Sequence, residues 1–151
     1  SVVLCPRRMR RLARLAAVAL AVALPAAVRA QDVGLPVGTP APAAAVETLD
    51  GKPVELASYF GRTPVVVEFW AGWCSNCRQL EPQISALARK YGARVKLVAV
   101  AVSVNQSPAR VQAYLRQRPQ PMEFVFDRRG NATGAYDVPA TSHVVVVDRS
   151  G

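Results

Sequence analysis

An α/β fold, with helices flanking a central β-sheet, is predicted by three features of this 151-residue chain. From Val65 onward, short β-rich apolar runs alternate with stretches whose apolar residues recur at helical spacing. Two of the runs, Val65–Trp70 and Val95–Val102, are almost continuously apolar, as strands buried on both faces must be. The composition, 51% hydrophobic and 19% charged, is that of a chain able to bury a core. The length supports one domain rather than two.

The elements follow in chain order. Residues 1–30 carry six Arg and no acid, with Arg7 to Arg14 preceding the apolar run Leu15–Val28. Small residues at Val28 and Ala30 then mark a cleavage site, which completes the pattern of a secretory signal peptide. The alternative is an uncleaved membrane anchor, but the run has 14 residues and contains Pro25, short of the roughly 18 that spanning requires. The mature chain is therefore expected to begin at Gln31. Met9 is a candidate initiator, which would place Ser1–Arg8 upstream of the protein.

Residues 31–46, rich in Pro, Ala and Gly, read as an extended lead-in, and residues 47–151 as the domain. Leu49-Asp50-Gly51-Lys52 is a turn signal, and Val54–Phe60 an irregular segment or short helix. Val65–Trp70 is a strand bounded by Pro64 and Ala71-Gly72. Leu80, Ile84, Leu87, Ala88 and Tyr91 define a helix stopped by Gly92. Val95–Val102 is the next strand. Ser107-Pro108 supplies an N-cap and a first-turn proline for a helix striped by Val111, Tyr114 and Leu115 and ended by Pro119. Phe124–Phe126 and Val144–Val147 are further strands, the last running into a turn at Asp148–Gly151.

The formal charge of +9 suggests a polyanion partner until its location is considered. Beyond residue 30 the chain carries 13 basic and 10 acidic side chains, a net of only +3. The body therefore gives no electrostatic case for nucleic-acid binding.

Export changes the meaning of the cysteines. Cys5 is lost with the signal, leaving Cys74 and Cys77 in a C-x-x-C spacing. A structural staple over so short a loop constrains the unfolded chain very little. A structural zinc site needs four ligands, and the mature chain has two Cys and one His, His143. A c-type haem needs His after the second Cys, where Arg78 stands. A redox couple is what remains. Cys74 follows a buried strand and opens a helix, whose free N–H groups and positive end stabilise a thiolate. That makes Cys74 the nucleophile and Cys77, one turn further in, the resolving thiol.

The segment Val67-Glu68-Phe69-Trp70-Ala71-Gly72-Trp73-Cys74-Ser75-Asn76-Cys77 resembles the active-site segment of the thioredoxin superfamily. Four flanking stretches are similar to its exported TlpA/ResA-like branch: Val37-Gly38-Thr39-Pro40-Ala41-Pro42, Leu49-Asp50-Gly51-Lys52, Asp127-Arg128-Arg129-Gly130 and Tyr136-Asp137-Val138-Pro139. The resemblance implies a thioredoxin-like fold with a mixed sheet and a kink near Pro82. It also implies a cis bond at Val138-Pro139 facing the cysteines and shaping a substrate groove, with Trp73, Ser75 and Asn76 also touching substrate. The family continues beyond the last strand with an antiparallel edge strand and a helix. By that measure the chain is a C-terminally truncated fragment with a bare apolar edge at Val144–Val147.

Glu68 is a lone carboxylate in an apolar strand, matching the buried acid of thioredoxin, where many TlpA-branch members are neutral. Burial would raise its pKa and suit it to take the proton of Cys77; the alternative is a pairing with a surface Arg or Lys. Trp70 is expected in the core, and Trp73 on an apolar rim. His143 is structural or solvated, or else joins Cys74 and Cys77 in Cu(I) delivery, although copper-delivery relatives typically use C-x-x-x-C. A peroxiredoxin-type peroxidase lacks its usual Thr or Ser, Ala71 standing three residues before Cys74.

The expectation is an exported thiol–disulfide oxidoreductase with no metal or organic cofactor and no stable oligomer. Its partners are exported protein thiols and disulfides, with a membrane thiol–disulfide reductant upstream. The dipeptide between the cysteines tunes potential over roughly −270 to −120 mV in the superfamily. Ser75-Asn76 lacks the His of strong oxidants, which favours a reductant. Family analogy places apocytochrome c among its substrates.

Overall fold

Among the described residues, six strands form one mixed sheet in the order β2-β1-β5-β4-β3-β6. The computed structural model describes residues 33–151; the signal segment expected over 1–30 lies outside the described residues. The central strands are β3 (Val65–Trp70), β4 (Lys96–Val102) and β5 (Glu123–Asp127), which run parallel. Their connections are the helices α1 (Ser75–Tyr91) and α2 (Pro108–Gln117). Two antiparallel additions flank them: the hairpin of β1 (Ala45–Thr48) and β2 (Pro53–Glu55) on β5, and β6 (His143–Val147) on β3. A short 3-10 helix, Leu56–Tyr59, and the five-residue α3, Asn131–Ala135, complete the fold.

Every residue of β3 is buried, so the uninterrupted apolar run reflects coverage of the sheet on both faces. Alternation sorts its side chains. Val65, Val67 and Phe69 pack with Val98, Val100, Leu56, Val46 and Tyr136 on one face. Trp70 packs on the other face with Cys74, Cys77, Ala99, Ala101 and Val111, and Val66 with Ile84 and Leu97. The small Ala99 and Ala101 leave room for the helices above them, while Trp70 makes edge-on contacts with Tyr114 and Phe124 at 5.1 Å.

Local signals account for the element ends. Ser107 caps α2 by accepting the N–H of Arg110 at 3.4 Å, with Pro108 in the first turn. Gly92 caps α1, its N–H donating to the Ala88 carbonyl at 2.8 Å. Pro82 lies within α1, removing one N–H from its ladder. The β1–β2 turn places Gly51 at φ 87°, a left-handed conformation that glycine adopts without strain.

From residue 33 on, the stretch read as a lead-in over 31–46 bends and turns before β1 and packs against the core. Ala44 and Val46 are core residues, Leu35 and Ala41 pack against the same cluster, and Tyr136 donates its hydroxyl hydrogen to the Pro42 carbonyl at 2.9 Å. The Pro- and Ala-rich composition masked β1, whose pairing is supplied by β2 and β5. Among the described residues β6 is an edge strand, with Val146 71% exposed. No helix among them is long and apolar enough to cross a membrane.

Candidate active site

Cys74 stands at the junction of β3 and α1 as the N-cap residue, extended at φ −76° and ψ 114°. Its Sγ accepts the N–H of Cys77 at 3.0 Å, so the sulfur occupies the place of a capping oxygen among the free amides of the first turn. Cys74 and Cys77 are joined as a disulfide with Cα atoms 5.3 Å apart, within the usual range. Both are buried, Cys77 the more deeply, while Ser75 and Asn76 between them face solvent.

Two contacts fix the loop that carries Cys74. The Trp73 indole N–H donates to the Val104 carbonyl at 2.8 Å, leaving the ring 48% exposed beside the disulfide. The Gly72 N–H donates to Gln106 Oε1 at 3.0 Å, and Gln106 Nε2 returns a bond to the Val102 carbonyl at 2.6 Å. Gln106 thus ties the β3–α1 loop to the β4–α2 loop. No sequence motif distinguished it; its value lies in joining loops 34 residues apart.

Trp73 and Val104 line a cavity of about 280 Å³ whose other wall is Val138-Pro139-Ala140-Thr141. The tryptophan and Pro139 expected to contact substrate therefore share one pocket. The expected cis bond is absent: no peptide bond among the described residues is cis, so Val138–Pro139 is trans. Trans is the lower-energy isomer even before proline. The turn into β6 is made instead by left-handed residues at Asp137 (φ 47°) and Ser142 (φ 66°), and the Ser142 N–H is held by the Phe69 carbonyl at 2.7 Å.

Glu68 is 2% exposed and its Oε1 has no hydrogen-bond partner. Among the described residues it pairs with no surface Arg or Lys. Its neighbours on the adjacent strands are Ala99 and Val144, neither able to compensate a charge. Burial, reinforced by the negative charge of Glu81, raises its pKa from 4.5 to about 7. Val66 and Trp70, two residues either side on the same face, pack against the clusters containing Ile84 and Cys77. Glu68 therefore lies beneath α1 on the face that carries the disulfide.

His143 goes elsewhere. It shares a face with Val145 and Val147, with its ring 6.2 Å from that of Phe69, on the side of the sheet opposite Trp70 and the cysteines. The one-residue alternation of strands separates it from the disulfide face. Among the described residues no group of three or more His, Cys, Asp or Glu could hold a metal ion. The grouping of His143 with Cys74 and Cys77 expected for copper delivery is thus not formed.

A mixed sheet covered by helices, with a Cys-x-x-Cys disulfide capping the helix after a central strand, defines a thioredoxin-like thiol–disulfide oxidoreductase. The chain belongs to the Redoxin family, whose sequence model matches residues 36–151. It is 29% identical over 122 residues to thioredoxin-like protein YneN of Bacillus subtilis, covering 80% of this chain and 71% of that one. Among solved structures, a Chlorobium tepidum protein described as a thiol:disulfide interchange protein DsbE superposes with a TM-score of 0.64 at 30% identity. That match covers 74% of this chain and 77% of the other. A secreted Mycobacterium tuberculosis disulfide oxidoreductase, described as homologous to DsbE of E. coli, gives 0.61 at 26% identity, covering 71% and 77%.

Proposed function

We propose that the protein is an exported, TlpA/ResA-like oxidoreductase that reduces disulfides of other exported proteins. The observation that carries this reading is the Cys74–Cys77 disulfide at the start of α1, with the Cys77 amide directed at Cys74 Sγ. In the reduced protein the same amide and the helix end favour the Cys74 thiolate. That thiolate attacks one sulfur of a substrate disulfide, forming a mixed disulfide and releasing the other sulfur as a thiolate. Cys77 then loses its proton to Glu68 and attacks Cys74 Sγ, releasing the second substrate sulfur and closing the Cys74–Cys77 disulfide. Two electrons pass from the enzyme dithiol to the substrate, and a membrane dithiol donor restores the reduced form.

Trp73, Val138 and Pro139 line the cavity that receives the substrate chain, and Ser75 and Asn76 meet it at the exposed helix start. The chemistry requires no metal or organic cofactor, and the protein acts as a monomer. Export is supported by the signal pattern of residues 1–30 and by similarity to a secreted oxidoreductase. Apocytochrome c and other exported thiol proteins are the substrate class that the family resemblance names.

Equilibration in graded dithiothreitol and glutathione buffers, with thiols counted by alkylation and mass spectrometry, tests the reading. The expected result is a reversible couple nearer −270 than −120 mV on the scale of roughly those limits. A pair that never exchanges would overturn the enzyme assignment, and a potential at the oxidising end would reverse the direction.

A further inference from the structure

Glu68 does not titrate alone. Glu81 lies on α1 one turn beyond Cys77, partly shielded from solvent, and one residue of α2 and the residue that ends it hold its carboxylate. Tyr114 donates its hydroxyl hydrogen to Oε1 at 2.6 Å, and Arg118 Nη2 donates to Oε2 at 2.9 Å. The Tyr114 ring packs edge-on against Trp70, two residues from Glu68 on the same sheet face. The tyrosine thereby spans from the wall of the Glu68 site to the second carboxylate. Among the described residues no basic side chain hydrogen-bonds Glu68, and its Oε1 has no partner.

We propose that Glu81, fixed by Tyr114 and Arg118, is a positioning residue whose charge sets the pH at which Glu68 exchanges its proton. This rests on the reading that Glu68 serves the proton transfer at Cys77. The physical basis is the order of ionisation. Burial disfavours the charged form of Glu81, but the hydrogen bonds from Tyr114 and Arg118 outweigh it and hold its carboxyl below the ordinary range. Glu81 is therefore already negative when Glu68 begins to titrate. A like charge nearby opposes the second ionisation. Among the described residues Glu81 is the charged group that acts on Glu68, whose strand neighbours Ala99 and Val144 are uncharged; Tyr114, Arg118 and Gln120 bear on it through Glu81. Arg118 acts through Glu81, partly neutralising it. Removing the Glu81 charge lets Glu68 ionise earlier, and removing Arg118 strengthens the unneutralised field and delays it.

Carbon-13 NMR of the Glu68 carboxyl, assigned by its loss in Glu68→Gln, reads the midpoint directly in the folded full chain. Glu81→Gln is expected to lower the midpoint enough that the ionised fraction near pH 6.5 rises about threefold. Arg118→Ala is expected to raise the midpoint, and Glu81→Asp to keep most of the wild-type value. An unchanged midpoint in Glu81→Gln, or shifts of the same sign in Glu81→Gln and Arg118→Ala, would overturn the proposal. The pH profile of mixed-disulfide resolution is measured in parallel. A profile identical in wild type and Glu68→Gln would remove Glu68 from the redox chemistry, while the carboxyl midpoints would still decide what Glu81 does.

Discussion

Glu68 concentrates the consequences of placing one carboxylate inside a sheet. Its folded pKa, about 7, lies above the ordinary 4.5, so the native state holds a proton that the unfolded chain releases. Between those values the native state binds more protons, and stability falls as pH rises. The contribution is intact below about pH 4.5 and lost above about pH 7. A shift of this size corresponds to about 3 kcal/mol. Urea unfolding at pH 5 and pH 8 should show wild type losing about 2–3 kcal/mol more than Glu68→Gln, together with slower thiol exchange in the variant. Equal pH dependence in the two proteins would contradict the buried, unpaired state of the side chain.

The two cysteines are separable by substitution. Cys77→Ser should accumulate a mixed disulfide with substrate, visible by mass spectrometry, because the resolving sulfur is gone. Cys74→Ser should form none, since the remaining thiol is buried behind it. Trapping by Cys74→Ser instead would exchange the two roles. The placement of the cysteines at a helix start and of Glu68 in a buried strand was readable from local order. Gln106 was not, since an ordinary glutamine becomes useful only when folding places it between two loops. The bond expected cis at Pro139 is trans, and left-handed residues at Asp137 and Ser142 flank it, conformations that no sequence pattern announces.

Elements with strong local signals were legible to within a residue or two. Ser107 is such a case, capping α2 as its spacing predicted. Ser107→Ala should lower stability by about 1 kcal/mol, measured by thermal or urea unfolding. An effect near zero would mean that Pro108 and tertiary contacts alone fix the helix start. Elements defined by their partners were hidden. β1 emerges from a Pro- and Ala-rich stretch because β2 and β5 supply its hydrogen bonds. The five-residue α3 has no amphipathic repeat. It is held by Asp127, whose buried carboxylate accepts the N–H groups of Ala132 at 3.3 Å and Thr133 at 2.8 Å, and the Thr133 hydroxyl at 2.7 Å. Asp127→Ala should cost about 1–3 kcal/mol, because it leaves those donors without a partner in a buried site. The loss should appear as a lowered urea midpoint; an unchanged midpoint would show that α3 does not depend on this cap.

The whole molecule joins the core on one face of the sheet to the redox centre on the other. Leu56, fully buried, closes the face opposite α1 and α2 with Val46, Phe69 and Tyr136. Leu56→Ala should cost about 2–5 kcal/mol by leaving a cavity, read from the urea midpoint. Its disulfide potential should stay near wild type, because Leu56 packs in a different cluster from the cysteines. A large change in potential would show that the two faces are coupled. At the edge, β6 presents Val144 and Val146 to solvent, an arrangement prone to pairing with other chains.

The amino-acid sequence by itself determined the α/β class, the central strands, the two long helices and the dithiol at a helix start. All of these depend on periodicity, capping and spacing within a few residues. Tertiary structure alone decided which face of the sheet received each group. It turned Glu68 toward the disulfide face beneath α1, sent His143 to the opposite face, and brought Glu81 under the control of Tyr114 on α2 and Arg118 at its end. The physical reason is that strand alternation and helix packing convert a one-residue difference in register into a change of environment. That environment, rather than residue type, sets whether a carboxylate is charged, paired or poised.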